Sequence, residues 1–281
     1  MFDWLTDGIV DHLVSTYEGL FNGITNLVSV AETTPDTFIN GVPWNAINTF
    51  SETIIKPVSW SILTLFLLLE LANIMRRQDA RGVDSMYFMG MAILKIGCAK
   101  LCMDNIDLIV GGIFQISSYI VTQTRASLTI GDIGQASQEM LESLQNAAND
   151  AGTLELIGTW LSSWLIGLIN SVLDILCLVV IYLRFIEIFV FTGVGPLCVA
   201  TFPSQEHNTI FKNWVKRIVA QAGHVVLIVI CIYLYSVMIS SPLSVGTGIL
   251  GIFWTQVMYK ILLVIAMFQT GGWAKSLANA T

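Results

Sequence analysis

Arg184 and Glu187 stand three residues apart inside the apolar run LRFIEIFVF. On a helix that spacing puts both on one face, where they can pair. Lys100 and Asp104, four apart, can do the same. With Glu70, Lys95, Asp174 and Lys260, ionisable side chains recur through sequence that is otherwise apolar. An unpaired charge at the middle of a bilayer costs at least ~2.5–3.5 kcal/mol. Such residues must therefore pair, reach an interface, face a bundle interior or line water. Two chemistries follow. They hold helices together, or they form a hydrophilic conduit or partner contact for charged material. A proton relay is the weaker idea, because no ladder of acids or histidines follows one helix.

Two basic clusters lie outside the apolar runs, Arg76, Arg77 and Arg81 in one and Lys212, Lys216 and Arg217 in the other. They suit nucleic-acid phosphates or acidic patches of a protein partner, and they equally suit topology alone. Cys98, Cys102, Cys177, Cys198 and Cys231 all sit in apolar runs and read as small buried residues. His12, His207 and His224 are scattered, so a metal site has no ligand spacing to stand on. No GxSxG, HExxH or nucleotide-binding motif occurs. The expectation is a non-enzyme without cofactor, driven by energy from partners.

The elements that position these residues are helices in a membrane. Of 281 residues, 54% are hydrophobic and 12% charged, about half the ~25% charge of a soluble domain. Thirteen basic and twenty acidic residues cannot clothe a globule of this size, and a net charge of −7 disfavours wholesale polyanion binding. The segment 2–30 repeats apolar residues at helical spacing but is interrupted by Asp3, Asp7, Asp11 and Glu18. It reads as an amphipathic helix that packs on protein rather than on acidic lipid. Its Gly19 and Gly23 have GxxxG spacing, and its acidic start is unlike a secretory signal. Residues 31–55, with Pro35, Asn40-Gly41 and Pro43, read as a loop with turns. Five apolar regions follow, over 58–75, 85–122, 154–192, 218–239 and 249–268. Each is long enough to cross at ~20 residues per span or close to it. Gly193, Gly195 and Pro196 are expected to break the third, leaving PLCVATF as a re-entrant or buried connector. The expected fold is therefore all-α, a polytopic bundle over 56–281 preceded by an extracytoplasmic helix and loop over 1–55. An acidic loop over 123–153, with a short helix at 133–148, and a basic segment over 204–217 complete it.

Charge sets the orientation. An odd number of spans places 1–57, 123–153 and 240–248 on one side, with Lys56 and Arg125 as their basic residues. The other side receives Arg76, Arg77, Arg81, Lys212, Lys216, Arg217 and Lys275. By the positive-inside rule the second side is cytoplasmic, the N-terminus is outside and the C-terminus inside. Seven spans also fit if the two long regions, 85–122 and 154–202, are both hairpins.

Two stretches carry a family resemblance. IIKPVSWSILTLFLLLEL (54–71) with MAILKIGCAKLCMDN (91–105) is the first. LRFIEIFVFTGVGPLCVAT (183–201) with FKNWVKRIVAQAGHVVLIVICIYLYSVMI (211–239) is the second. Together they resemble the TrbL-like polytopic subunit of conjugative type IV secretion systems, in the branch found on mobile elements of Gram-positive bacteria. The pattern is an Arg-x-x-Glu pair on a long helix, an aromatic-rich turn, then Pro and small residues before a basic amphipathic segment. Arg184, Glu187, Pro196 and Ala200 occupy those positions. The resemblance implies a multi-pass subunit of the bacterial cytoplasmic membrane, a channel or scaffold that assembles with secretion ATPases and other channel subunits and helps pass single-stranded DNA and protein. Homo-oligomerisation fits the short loops. The alternative is a stand-alone secondary transporter with Glu70, Lys95, Asp174 and Lys260 around a solute site, although no paired half-repeat is visible.

Overall fold

A computed structural model describes residues 3–78, 85–127, 153–240 and 249–279. Arg81, the acidic segment with its expected helix over 133–148, and the turn over 241–248 lie outside the described residues. Every described element is helical: α1 (Asp3–Glu32), α2 (Val42–Phe50), α3 (Lys56–Gln78), α4 (Ser85–Asp104), α5 (Ile106–Ser127), α6 (Thr153–Ala200), α7 (Asn208–Ser240) and α8 (Ile249–Leu277). Five stretches are long and apolar enough to cross a membrane, Phe38–Arg76, Ile106–Gln123, Gly158–Ala200, Asn208–Ile239 and Phe253–Leu277.

The region 31–55 is helical for longer than its turn residues suggest. Only 33–41 leave helical structure of α or π type, and a 3₁₀ turn (Phe38–Gly41) precedes α2. Gly41 has φ +74°, and a Cβ there would lie 2.8 Å from the Asp36 carbonyl, so the Asn40-Gly41 turn demands glycine. Pro43 then starts the helix rather than ending one, because its missing N–H falls in the first turn. A π-helical turn (Ser51–Ile55) joins α2 to α3.

The second apolar region divides at Asn105, yet its helical hydrogen bonding persists. Asn105 N–H donates to Leu101 and Ile109 N–H to Asn105, both at i−4. The buried stripe Ala99, Met103, Ile106, Val110, Phe114 crosses the division in register. α4 and α5 therefore run on as one line. α6 is likewise a single helix of 48 residues. Among the described residues neither long region folds into a hairpin, and five stretches have the length and apolar character of spans, in keeping with the five-span reading.

Pro196 lies inside α6 and does not end it, which corrects the expected break at Gly193, Gly195 and Pro196. The two glycines are sites of close approach instead. A Cβ on Gly193 would meet Ile47 Cδ1 at 2.8 Å, and one on Gly195 would meet Trp214 Cζ2 at 2.9 Å. The helix end falls at Ala200, and the real connector is the short turn 201–207, closed by Thr201 N–H to Cys198 and Phe202 N–H to Val199. The basic segment 204–217 is also not a separate piece: from Asn208 onward it is the first turns of the spanning helix α7.

The chain divides into two compact units, and the long helices α5 to α8 contribute to both. The first unit comprises Met1–Glu32, Tyr119–Tyr182 and Val225–Thr270. Within it α1 runs parallel to α6, since His12 stacks on Trp164 (5.2 Å between centroids) and Gly23 lies against Asp174. Ile9, Leu27, Val28 and Ala31 are buried, while Asp11, Ser15 and Glu18 are exposed. α1 is thus amphipathic and docked on protein, as its acidic polar face requires. Gly23, not Gly19, makes the close contact of the pair.

The second unit comprises Thr33–Ser118, Leu183–His224 and Gly271–Thr281. Its core joins Leu63, Met103, Val110, Phe114, Ile188, Trp214 and Ile218. The chain from the 3₁₀ turn through α3 follows the course of α6 and its connector: Phe38 stacks on Phe185 at 4.0 Å, and Phe66 of α3 meets His207 of the 201–207 turn edge-on at 5.3 Å. α4 returns antiparallel to α3. Lys56 Nζ donates to the Asp104 carbonyl at 3.3 Å, at the end of α4, and Lys100 Nζ sits 4.8 Å above the Trp60 ring. α7 is antiparallel to α6, and the Trp214 indole N–H donates to the Phe191 carbonyl at 2.9 Å.

Candidate functional site

The first unit contains a buried polar node. Lys260 on α8 is fully buried, and its Nζ lies 2.7 Å from Asp174 Oδ1, whose side chain is 23% exposed. Asn170, one turn before Asp174 on α6, joins the two. Its carbonyl accepts from Lys260 Nζ, and its Nδ2 donates to Asp174 Oδ2 at 3.4 Å. The node also touches α1. A Cβ on Gly23 would lie 2.9 Å from Asp174 Oδ1 and 3.1 Å from Oδ2. Glycine therefore admits the carboxylate against the backbone of α1. Gln256, one turn before Lys260, is buried on the same helix. A charge pair with its own amide bridge can persist in an apolar interior, whereas either charge alone could not.

The second unit organises its polar groups differently. Glu187 on α6 accepts a hydrogen bond from Gln221 Nε2 on α7. Arg184 is buried, with its guanidinium 5.2 Å from the centre of the Phe185 ring. The described contacts thus give Glu187 an interhelical partner in Gln221. His224 is buried on α7 and approaches the backbone at Gly271. The Ser117 hydroxyl donates to the Ala222 carbonyl and links α5 to α7.

The remaining charged residues are dispersed. Glu70 is buried on α3, Lys95 is half-buried on α4, and Lys100 rests on Trp60 rather than pairing with Asp104. Glu70 and Lys95 belong to the second unit, Asp174 and Lys260 to the first. Arg76 and Lys212 are exposed, and Lys216 Nζ donates to the Asn279 carbonyl at 3.1 Å. Arg217 is exposed and lies 5.6 Å over the Phe191 ring. Arg77 closes α3, but its side chain lies outside the described residues. Among the described residues no cluster of three or more His, Cys, Asp or Glu could hold a metal ion.

Sequence reasoning missed Asn170 and Gln221. Asn170 left a signal, since an amide four residues before a carboxylate in an apolar helix is placed to orient it. Gln221 left none, because its partner comes from a distant helix; the GxxxG spacing pointed to Gly23 but not to its neighbour Asp174.

Residues 21–196 match the family described as TrbL/VirB6 plasmid conjugal transfer like protein. The match covers more than half of the chain. This chain belongs to the TrbL/VirB6 conjugal transfer family. Membership makes it a component of type IV secretion that works with other subunits of that machinery, in a family of structural transfer-system components. With five membrane-length apolar helices, it is a multi-pass protein of the cell membrane. The match begins at residue 21 within α1, ahead of the stretches from 54 onward that carry the resemblance, and it stops at Pro196 within α6. Comparison with curated proteins returned no match.

Proposed function

We propose that this chain is an integral channel or scaffold component of a conjugative secretion machine, helping single-stranded DNA and its bound protein cross the cytoplasmic membrane. The family match over 21–196 carries this reading. Three features support it. The sequence has no nucleotide-binding motif, so the driving force comes from secretion ATPases. Its basic residues cluster at Arg76, Arg77 and Arg81 and at Lys212, Lys216 and Arg217, and the positive-inside rule favours the cytoplasmic, ATPase-facing side for both clusters. Long apolar faces remain exposed on the described helices, among them Leu161, Leu165, Leu168, Val172 and Ile175 on α6. Lipid or further copies in a homo-oligomer cover such faces. The source is a mobile element of a Gram-positive bacterium.

Deletion of the gene in a donor cell, followed by counting transconjugants, tests the role. Transfer should fall to background and return with the wild-type gene, and the secretion ATPases should co-purify with the tagged chain. Normal transfer by the deletion strain would overturn the proposal. Crosslinking in mating donors separates the finer alternatives: recovery of transferring DNA on this chain supports a channel wall, and its absence with ATPase co-purification retained supports a scaffold.

A further inference from the structure

Within the first unit, α1 lies along α6. His12 stacks on Trp164, and Gly23 meets Asp174, so the two helices keep step between these contacts. They therefore share one depth. That depth is set by α6 and α8, because Asp174 and its partner Lys260 lie inside the membrane-length stretches Gly158–Ala200 and Phe253–Leu277. Around this pair α6 exposes Leu168, Val172 and Ile175, and α8 exposes Met258, Ile261 and Ile265. Those faces suit hydrocarbon.

α1 presents the opposite surface at the same level. Among its described residues, every exposed one is polar or glycine. Asp11, Ser15, Glu18, Asn26 and Ser29 are exposed and recur at steps that keep them on one face, with Asn22 of the sequence in the same register. From Asp11 to Ser29 the stripe runs about 27 Å at ~1.5 Å per residue, close to the ~30 Å of a hydrocarbon core. Ser15 and Ser29 return their hydroxyls to the His12 and Asn26 carbonyls of their own helix. The weight therefore falls on Asp11, Glu18 and Asn26. Glu18 stands ~7.5 Å before Gly23 along the helix and Asn26 ~4.5 Å after it, so they bracket the level of the Asp174–Lys260 pair. α1 contains no Lys or Arg, and among the described residues Asp11 and Glu18 enter no ion pair.

Carboxylates at membrane depth face a protein interior or water, not lipid tails. The stripe is on the outside of this chain, so its own interior does not cover it. A second copy of the same stripe would set carboxylate against carboxylate, which costs rather than gains energy. Water needs no further partner. An acidic wall without cations also has a use in such a place: Lys or Arg would hold the phosphates of a passing strand, and carboxylates and amides do not.

We infer, resting on the channel reading above, that the polar face of α1 lines an aqueous passage at membrane depth, an acidic wall past which a hydrated polyanion moves without being held. α1 then sits beside the spanning helices and not in the extracytoplasmic position expected from its sequence.

Thiol accessibility in intact donor cells tests this, on a full-length chain whose five native cysteines are alanine and which supports transfer. Ser15→Cys, Glu18→Cys and Asn26→Cys report the stripe. Leu168→Cys and Ile261→Cys report the apolar faces. The thiolate is the reacting species and needs water to form, so a charged methanethiosulfonate should modify the first three at least about tenfold faster than the last two. Scaled to free cysteine, the cationic reagent should outpace the anionic one at Ser15→Cys, and Asp11→Asn with Glu18→Gln should erase that advantage. An unreactive stripe, or equal reaction at all five positions, would overturn the inference. So would disulfide formation between copies at Ser15→Cys without reaction with the reagents, which would make the stripe a seam between copies. An unreactive stripe in cells that still transfer refutes the wall alone, whereas transfer without the gene refutes the role itself. Should Glu18→Cys or Asn26→Cys prevent insertion, Ser15→Cys, which exchanges one oxygen for sulfur, decides.

Discussion

The two units bury polar groups by different rules. In the first, a cation and a carboxylate from α8 and α6 are drawn together, bridged by Asn170 and pressed against α1 at Gly23. In the second, Glu187 and Ser117 each make one interhelical hydrogen bond, and the close contacts are made by glycine against Ile47, Ile106 and Trp214. Buried in the first unit is a paired charge; the buried contacts described for the second are backbone proximity and single hydrogen bonds. The difference predicts how each responds to a change. A paired charge fails abruptly when one member is lost and recovers when both are removed. Close packing fails in proportion to the volume added.

The charge node offers the largest effect. Asp174→Leu leaves the fully buried Lys260 without its counter-ion and should destabilise the chain by about 3–5 kcal/mol. Lys260→Met should be costly in the same way, and the double variant should recover much of the loss. Unfolding in mixed micelles, together with the amount of chain inserted in the membrane, measures this. The corresponding cycle on Glu187 and Gln221 sharpens the contrast. Because Glu187 accepts from Gln221 across two helices, Glu187→Ala and Gln221→Ala should couple, but by less than the 174–260 pair. Stronger coupling between 187 and 221 than between 174 and 260 would reverse the comparison.

What the sequence disclosed follows the same division. Helical class, the positions of the apolar runs and the amphipathic character of α1 were legible, because periodicity and the scarcity of charge are local properties; whether the two long runs crossed once or twice was not. So was the Asn40-Gly41 turn. Pro43 and Pro196 both misled, read as interruptions where each lies within a helix, for one reason. Proline marks a missing N–H, and whether that ends a helix depends on where in the helix it falls. At Pro43 it falls in the first turn and costs nothing; at Pro196 the helix continues, packed closely at Gly193 and Gly195. The spacing of Arg184 and Glu187 was visible, but the donor Gln221 lies 34 residues away. Asn170 and Lys260 are 90 residues apart, and only the fold brings them together. Local spacing proposed pairs; tertiary packing chose among them.

Glycines on α6 give the next prediction, because one helix carries both kinds. Gly195→Ala places a Cβ 2.9 Å from the Trp214 ring, with Ile106 on the same side, and both are core residues that cannot swing away. Overpacking of this kind costs about 1–3 kcal/mol. Gly167→Ala meets nothing within 4 Å. It should be neutral or stabilise by up to about 1 kcal/mol, since alanine is the better helix former. Thermal unfolding in one detergent compares the two directly. Equal tolerance at 195 and 167 would mean that α6 is not held by close approach in the second unit.

The smallest effect concerns Ser117. Its hydroxyl is buried and donates to the Ala222 carbonyl across two helices. Ala222 also belongs to the core that α5 and α7 share. Ser117→Ala removes the donor with almost no change in volume, so the packing stays and only the hydrogen bond is lost. The carbonyl keeps its position within α7, where helix hydrogen bonding already serves it, so no acceptor is stranded. The loss should be about 0.5–1.5 kcal/mol. Ser117→Val adds volume at the same place and should cost more than Ser117→Ala, as overpacking at Gly195 does. If the alanine variant were the worse of the two, the second unit would depend on this hydrogen bond more than on its packing, and its difference from the charge-paired unit would shrink accordingly.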